Sequence, residues 1–228
     1  MTTETVGDEP GTPRTLPPWW VVLLVGLAVA AVAFSIGRFS TFGIAGSTPA
    51  EGSADAGFAR DMQVHHAQAV DMAMTIYAET DDEELRALSY DIATGQSSQR
   101  GEMLDWLVQW GLPQYGDAPM AWMSASGSGH AHGTASDAPQ TDEQVREAMG
   151  MASDDELAAL HSATGKTADC MFLSLMIRHH EGAIPMAEAV LELGTDARVK
   201  TVAENMKKGQ TFEIDAMTSM QNRFGCSD

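Results

Sequence analysis

Apolar positions recur at helical spacing along most of this chain, and no stretch keeps the strict alternation of a half-buried strand. Residues from Phe58 to about Ala78 predict one helix, after which Thr80-Asp81-Asp82-Glu83 reads as the N-cap and first turn of another. That second helix is expected from about Asp82 to Trp110 and ends at Gly111, with Pro113 behind it. A further pair follows: about Asp169 to Leu193, stopped by Gly194, then a helix opened by Thr195-Asp196 that runs to Phe224 and ends at Gly225. Two antiparallel hairpins bury their apolar stripes by packing together, so the expected fold is all-α, a four-helix bundle.

The two hairpins are copies of each other. At a fixed offset of 114 residues, Phe58 falls on Phe172, Asp82 on Asp196, Gly95-Gln96 on Gly209-Gln210, Met103 on Met217 and Gly111 on Gly225. The 54 aligned positions hold 12 identities, and apolar character is kept at Leu85/Val199, Leu88/Val202, Ile92/Met206 and Trp110/Phe224. The expected organisation is repeat 1 at 58–111, a connector at 112–171 and repeat 2 at 172–225, within a bundle spanning 55–226. In the connector, Pro113 to Pro139 reads as loop, while Asp142 to Met149 and Ser153 to Ser162 read as short helices. Ser153-x-x-Glu156 forms a capping box ahead of the second. Pro185 falls inside a helical pattern, where it removes one backbone hydrogen bond and crowds the carbonyl of Glu181; its counterpart, Asp71, is polar, so a tolerated solvent-face proline remains the alternative.

Ahead of the bundle, Trp19 to Ile36 is eighteen residues without a charge, between Arg14 and Arg38. That length just crosses a bilayer as a helix, and Trp19-Trp20 suits a membrane interface. The leader carries Glu4, Asp8 and Glu9 rather than a basic start, and no cysteine directly follows the apolar run. An uncleaved signal anchor is therefore expected over 19–38, after a disordered cytoplasmic leader at 1–18 and before a flexible Gly/Ser/Ala/Thr-rich linker at 39–54. The globular part would lie outside the cytoplasm, held by a single pass through the cell membrane.

Net charge −19 and a pI near 4.5 argue against nucleic acid as a partner. An acidic field raises the local concentration of cations, although it equally suits the solvated surface of an exported protein. Two cysteines, Cys170 and Cys226, permit one pairing, which an oxidising compartment favours; the rival is a two-thiolate site for a soft ion.

Within the repeats, the pattern Met-x-x-His-His-x-x-Ala-[Val/Ile]-x-Met-Ala occurs as Met62, His65, His66, Met72 and again as Met176, His179, His180, Met186. Successive helical residues project about 100° apart, so the members of a dyad cannot share one narrow face. Met62 falls with His66, Met72 with His65, and likewise Met176 with His180 and Met186 with His179. If the hairpins pack about a pseudo-twofold axis, the stripes face one another and each supplies ligands from its own side. Imidazole binds copper and zinc ions, whereas thioether sulfur strongly favours Cu(I) over Cu(II) and needs no deprotonation. Copper is the expected ion. Against this, many of the fifteen methionines are expected to be core filling, and the dyads can serve as hydrogen-bonding pairs in the core. Met120, Met123, His130 and His132 in the connector offer a second, weaker capture site, or only a linker.

Other chemistries lack their residues. There is no Glu-x-x-His for a di-iron site, and His180-Glu181 lacks the second histidine of a zincin, Ile184 standing there instead. No phosphate loop, nucleophile elbow or Cys-x-x-Cys occurs, so no catalytic residue is assigned and no enzyme is expected.

The run Phe172-Leu173-x-x-Met176-Ile177-x-His179-His180-x-x-Ala183-Ile184-x-Met186-Ala187 resembles the domain-of-unknown-function 305 family of bacterial exported proteins. Its weaker twin at Phe58 to Ala73, the Gln96 and Gln210 helices and Met149-Gly150-Met151 extend the resemblance over about 55–226. The first copy departs from the pattern, with Gln63-Val64 where the second has Ile177-Arg178. The resemblance implies a ferritin-like bundle without di-iron ligands, with some relatives associated with copper binding and resistance. The expected function is a membrane-anchored copper-binding protein that buffers or sequesters the metal. The alternative is a metal-free interaction module of the cell envelope, and self-association as a homo-oligomer stays open.

Overall fold

The computed structural model describes residues 18–43, 48–116, 118–125 and 141–226, without the side chains of residue 22, residues 35–43 and residue 125. The chain divides into two compact units, residues 1–47 and 48–228. In the first, helix α1 (Trp19–Gly43) carries large apolar side chains exposed on all sides, Trp19 by 77% and Phe34 by 74%. Among the described residues no helix is long and apolar enough to cross a membrane, and the expected span of 19–38 falls only partly within them. Of the expected linker at 39–54, residues 39–43 continue α1, residues 44–47 lie outside the described residues, and Ala54 already opens the next helix. The expected leader, 1–17 of it, lies outside the described residues.

The second unit holds α2 (Ala54–Glu79), α3 (Glu83–Trp110), α4 (Asp142–Ala148), α5 (Asp154–Ser162), α6 (Gly165–Leu193) and α7 (Ala197–Phe224), with a 3-10 turn at Ala121–Ala125. Helix boundaries follow the capping chemistry. Asp82 accepts from the Leu85 amide and Asp196 from the Arg198 amide, while Gly111 and Gly225 end their helices in the left-handed conformation that lets the chain turn away. Two starts differ from the expectation. Helix α2 begins ahead of Phe58 because Ser53 caps it, its hydroxyl accepting from Ala56. Helix α6 begins at Gly165, so the last seven residues of the expected connector belong to the bundle. The Ser153–Glu156 capping box forms as read, and a second, Thr141–Gln144, caps α4. Pro185 leaves α6 unbroken.

Each hairpin packs closely, α2 on α3 and α6 on α7, and α2 and α6 join the two. The 114-residue offset reappears in the contacts. Arg223 reaches Glu84 at 3.0 Å, and their counterparts, Gln109 and Arg198, meet at 2.9 Å. Buried Asp55 accepts from the amides of Thr195 and Asp196 and from the Thr195 hydroxyl, pinning the start of α2 to the α6–α7 turn. Its counterpart, Asp169, bonds Thr80 in the α2–α3 turn, and burial raises its carboxyl above the ordinary range. The pseudo-twofold axis therefore relates the hairpins as whole bodies.

The apolar interior separates into two clusters. One gathers Phe58, Met62, Met103, Trp106, Met186 and Val190; the other gathers Met72, Ile76, Phe172, Met176, Met217 and Met220. A buried polar layer at mid-height, Ser89 apart, consists of His65, His66, Gln96, His179, His180 and Gln210.

Cys170 pairs with Cys226, Cα atoms 5.5 Å apart, which ties the C-terminal end of α7 to the first turns of α6 across a separation of 56 residues. Closing a loop of that length restricts the unfolded chain, so Cys170→Ser/Cys226→Ser should lower stability by about 2–4 kcal/mol. Urea unfolding of the oxidised chain and the variant measures it. Equal midpoints would mean that the link contributes nothing.

Candidate metal centre

All four dyad histidines are fully buried. His65 of α2 and His179 of α6 stack across the pseudo-twofold axis, ring centroids 3.6 Å apart, while His66 and His180 lie outward at 6.3 and 6.2 Å from their neighbours. The stripes thus face each other as the spacing predicts. Four methionines follow: Met62 and Met186 share one apolar cluster, Met72 and Met176 the other. Each cluster combines one thioether from each repeat, above and below the imidazoles. Both clusters are composites of the two copies.

Hydrogen bonding assigns the ring tautomers. His65 Nε2 donates to the Met149 carbonyl at 3.0 Å, and His179 Nε2 donates to the His65 carbonyl at 3.1 Å. A carbonyl only accepts, so each Nε2 carries the proton. His180 Nε2 donates to the Glu213 carboxylate at 2.7 Å, and His66 Nε2 donates to Gln99 Oε1 at 2.7 Å. In every case the other nitrogen, Nδ1, is buried and has no hydrogen-bond partner among the described residues. Four buried lone pairs are left open, each costing about 1–3 kcal/mol if nothing satisfies it. Donation of the far ring nitrogen to a carbonyl or carboxylate is the usual way a metal-ligating imidazole is held.

Burial keeps His65, His66 and His179 neutral. Desolvation, first of all, lowers His65 from 6.5 to about 4, against the Met149 bond, which raises it. His66 is lowered to about 3 by burial and then by the neighbouring His65, and His179 falls well below 6.5 by burial and the surrounding imidazoles. Their lone pairs therefore stay unprotonated at neutral pH. Among the described residues no three His, Cys, Asp or Glu side chains are disposed around one point. An ion bound here would draw further ligands from thioethers.

A segment of connector roofs the site. Gln68 accepts from the Ala152 amide at 2.7 Å and donates to its carbonyl at 2.8 Å, holding the strap against α2. On α6, Gly182 makes room for it: a Cβ there would lie 2.0 Å from the Met149 carbonyl oxygen. That carbonyl is the acceptor for His65. Gly150, with φ +73°, turns the strap over the Arg178 carbonyl.

Of the second candidate site, only Met120 and Met123 lie within the described residues. Met123 is 7% exposed and joins the same apolar cluster as Met62, and Met120 packs against that cluster. The Met120 amide and Trp122 indole both donate to Asp61, each at 2.8 Å, which fixes the turn on α2. The segment is thus anchored by Trp122 and Asp61. His130 and His132 lie outside the described residues. Missed from the sequence were Gln99, Glu213, Gln68, Gly182 and the Met149 carbonyl. One signal was available for the first two: Gln99 and Glu213 are themselves 114 residues apart, three positions after Gln96 and Gln210.

Residues 55–221 match the family model described as Domain of unknown function (DUF305). The chain belongs to this family. Among solved structures of its members, one from Streptomyces coelicolor, described as secreted, is 39% identical, with TM-score 0.67, covering 78% of this chain and 98% of that one. A Deinococcus radiodurans DUF305 fragment is 29% identical, with TM-score 0.60 and coverage of 75% and 96%. CopM in its Cu(II)-bound form is 25% identical, with TM-score 0.54 and coverage of 75% and 97%; CopM has also been solved in Cu(I)- and Ag-bound forms. No curated protein matches the chain.

Two outcomes follow from this geometry. Because the folded-state pKa values of His65, His66 and His179 lie below 6.5, the unfolded chain takes up protons that the folded chain refuses. Their contribution is fully favourable above pH 6.5 and is lost as pH falls below it, by up to about 1.4 kcal/mol per pH unit per histidine. Urea midpoints should hold from about pH 7.5 to about 6.5 and fall from there to about 5.5, where ordinary carboxylates have not yet titrated; a flat profile contradicts the assignment. Gly182→Ala should displace the Met149 carbonyl and cost about 1–3 kcal/mol by overpacking, read as a lower thermal midpoint, whereas Gly209→Ala, with open space at its Cβ, should not.

Proposed function

We propose that the protein binds copper through the Nδ1 atoms of His65, His66, His179 and His180 and the thioethers of Met62, Met72, Met176 and Met186, and that it buffers or sequesters the metal outside the cytoplasm. The observation that carries this reading is the set of four buried Nδ1 atoms without a hydrogen-bond partner among the described residues, each on a ring whose Nε2 is already held. Hydrogen-bonding pairs in the core would account for the Nε2 contacts and leave all four Nδ1 atoms without a role. The copper-bound state of CopM supports the choice of ion.

Ligand chemistry favours Cu(I). Neutral imidazole with thioether sulfur is a soft, uncharged donor set, which suits a soft monovalent ion more than Cu(II). Burial between two apolar clusters strengthens that preference, since the lower charge is cheaper to desolvate. When bound, the metal would supply the partners that the Nδ1 atoms lack. The chain itself orients the rings, excludes bulk water and, with its net charge of −19, gathers cations.

An extracytoplasmic location is supported by the Cys170–Cys226 pair and by the secreted relative from Streptomyces coelicolor. Anchoring to the membrane through residues 19–36 is supported by the uncharged run and by the outward-facing apolar side chains of α1.

Titration of the purified full-length chain with Cu(I) and Cu(II), each against a competing chelator, tests this. The wild type should bind Cu(I) more tightly than Cu(II). The volume-conserving variant Met62→Leu/Met72→Leu/Met176→Leu/Met186→Leu should retain its fold and lose about a hundredfold in Cu(I) affinity. Weak binding, of about millimolar strength, by wild type and variant alike would overturn the proposal.

A further inference from the structure

The polar layer has a second side. Gln96 and Gln210, again 114 residues apart, are each 4% exposed, yet neither amide has a hydrogen-bond partner at Oε1 or Nε2. They line a cavity of about 70 Å³ between α3 and α7, together with Gln99, Asn205 and Glu213. Gln99 and Glu213 are the same residues that accept from His66 and His180. A single shell of side chains therefore separates this cavity from two of the buried imidazoles.

Packing makes the seam the open side of the bundle. Helices α3 and α7 each pack tightly on their own hairpin partner and only sparsely on one another. Gly95 and Gly209 form part of the wall, and a Cβ at either position would meet nothing within 4 Å. The opposite side is shut, with the Met149–Gly150 backbone in direct contact with the backbone of α6 at Arg178 and Gly182. Glu213, its side chain 25% exposed, spans from the solvent side to buried His180.

The chemistry of the lining suits passage rather than storage. A space of this size holds a few small polar particles. Amide oxygens and one carboxylate are hard donors, which replace part of a cation's hydration but hold a soft ion weakly. We propose that the cavity is the entry vestibule through which a small, partly hydrated metal cation reaches and leaves the histidines, solvated by the Gln96 and Gln210 amides and drawn in by the Glu213 carboxylate. The proposal deepens the copper reading and rests on it.

Stopped-flow transfer of Cu(I) between a chromogenic chelator and the full-length chain tests it, with capture and release recorded separately from equilibrium affinity. Gly95→Ala/Gly209→Ala favours helix, so it folds, and narrows the seam; Gly95→Leu/Gly209→Leu fills it. Both should slow capture and release together, the leucine pair by about tenfold or more, with affinity nearly constant. Gln96→Leu/Gln210→Leu, which removes the amides, should also slow capture. Unchanged rates in the glycine and glutamine variants, or an affinity loss from the glycine pairs without slower exchange, would overturn the vestibule while leaving copper binding intact. A wild-type chain that binds no copper would overturn both, and the control shows this before any variant is compared.

Discussion

Four imidazoles buried at the middle of one helical bundle set the terms for everything around them. Each ring has to place one N–H on an acceptor, and the bundle supplies four: two backbone carbonyls, one amide and one carboxylate. Meeting that demand fixes the register of α2 against α6, since His179 reaches the carbonyl of His65 only at this crossing. It also divides the apolar core in two, because the polar layer interrupts packing that would otherwise run the length of the helices. The same layer leaves four Nδ1 atoms and two glutamine amides without partners.

The duplication is nearly symmetric, and its departures from symmetry are concentrated at the site. His179 donates to the carbonyl of His65, but His65 does not return the bond; it turns to Met149 in the connector. The connector has no second copy, so its strap covers the pseudo-twofold axis in one orientation only, with Gln68 on one helix and Gly182, its counterpart at the same offset, on the other. At the flanks, a neutral Gln99 faces His66 where a carboxylate, Glu213, faces His180. A carboxylate makes the imidazole it holds a more basic ligand. The two copies of the hairpin therefore give their outer histidines unequal partners.

In the proposed reading, thioethers from the two apolar clusters would complete a soft donor set around the rings, inside a protein with formal charge −19. The two features act at different ranges. Surface carboxylates gather cations over roughly a Debye length, without regard to their identity. In the proposed reading the buried layer would discriminate, because desolvating an ion is tolerable only when soft, well-placed donors replace its water. The seam of α3 and α7, with its hard oxygen donors, would then bridge the change of environment.

Much of this architecture was legible in the chain itself. The helix periodicity, the Asp82 and Asp196 caps, the Gly111 and Gly225 stops and the 114-residue offset together specify two copies of one hairpin, because each signal acts within a few residues of the backbone it controls. The facing of the His–Met stripes followed from 3.6-residue geometry once duplication was recognised. What the sequence could not determine were contacts made across large separations: that His65 would bond a carbonyl 84 residues away, that Gly182 would be small to admit that carbonyl, and that Gln99 and Glu213 would take the outer histidines. The starts of α2 and α6 also escaped, since the apolar rhythm is silent about which polar residue caps first. Composition and spacing name the donors and the face of the helix on which they lie. Which nitrogen keeps its lone pair is decided only by what the folded chain brings against the other, because a tautomer is set by its hydrogen-bond partner and that partner comes from elsewhere in the chain.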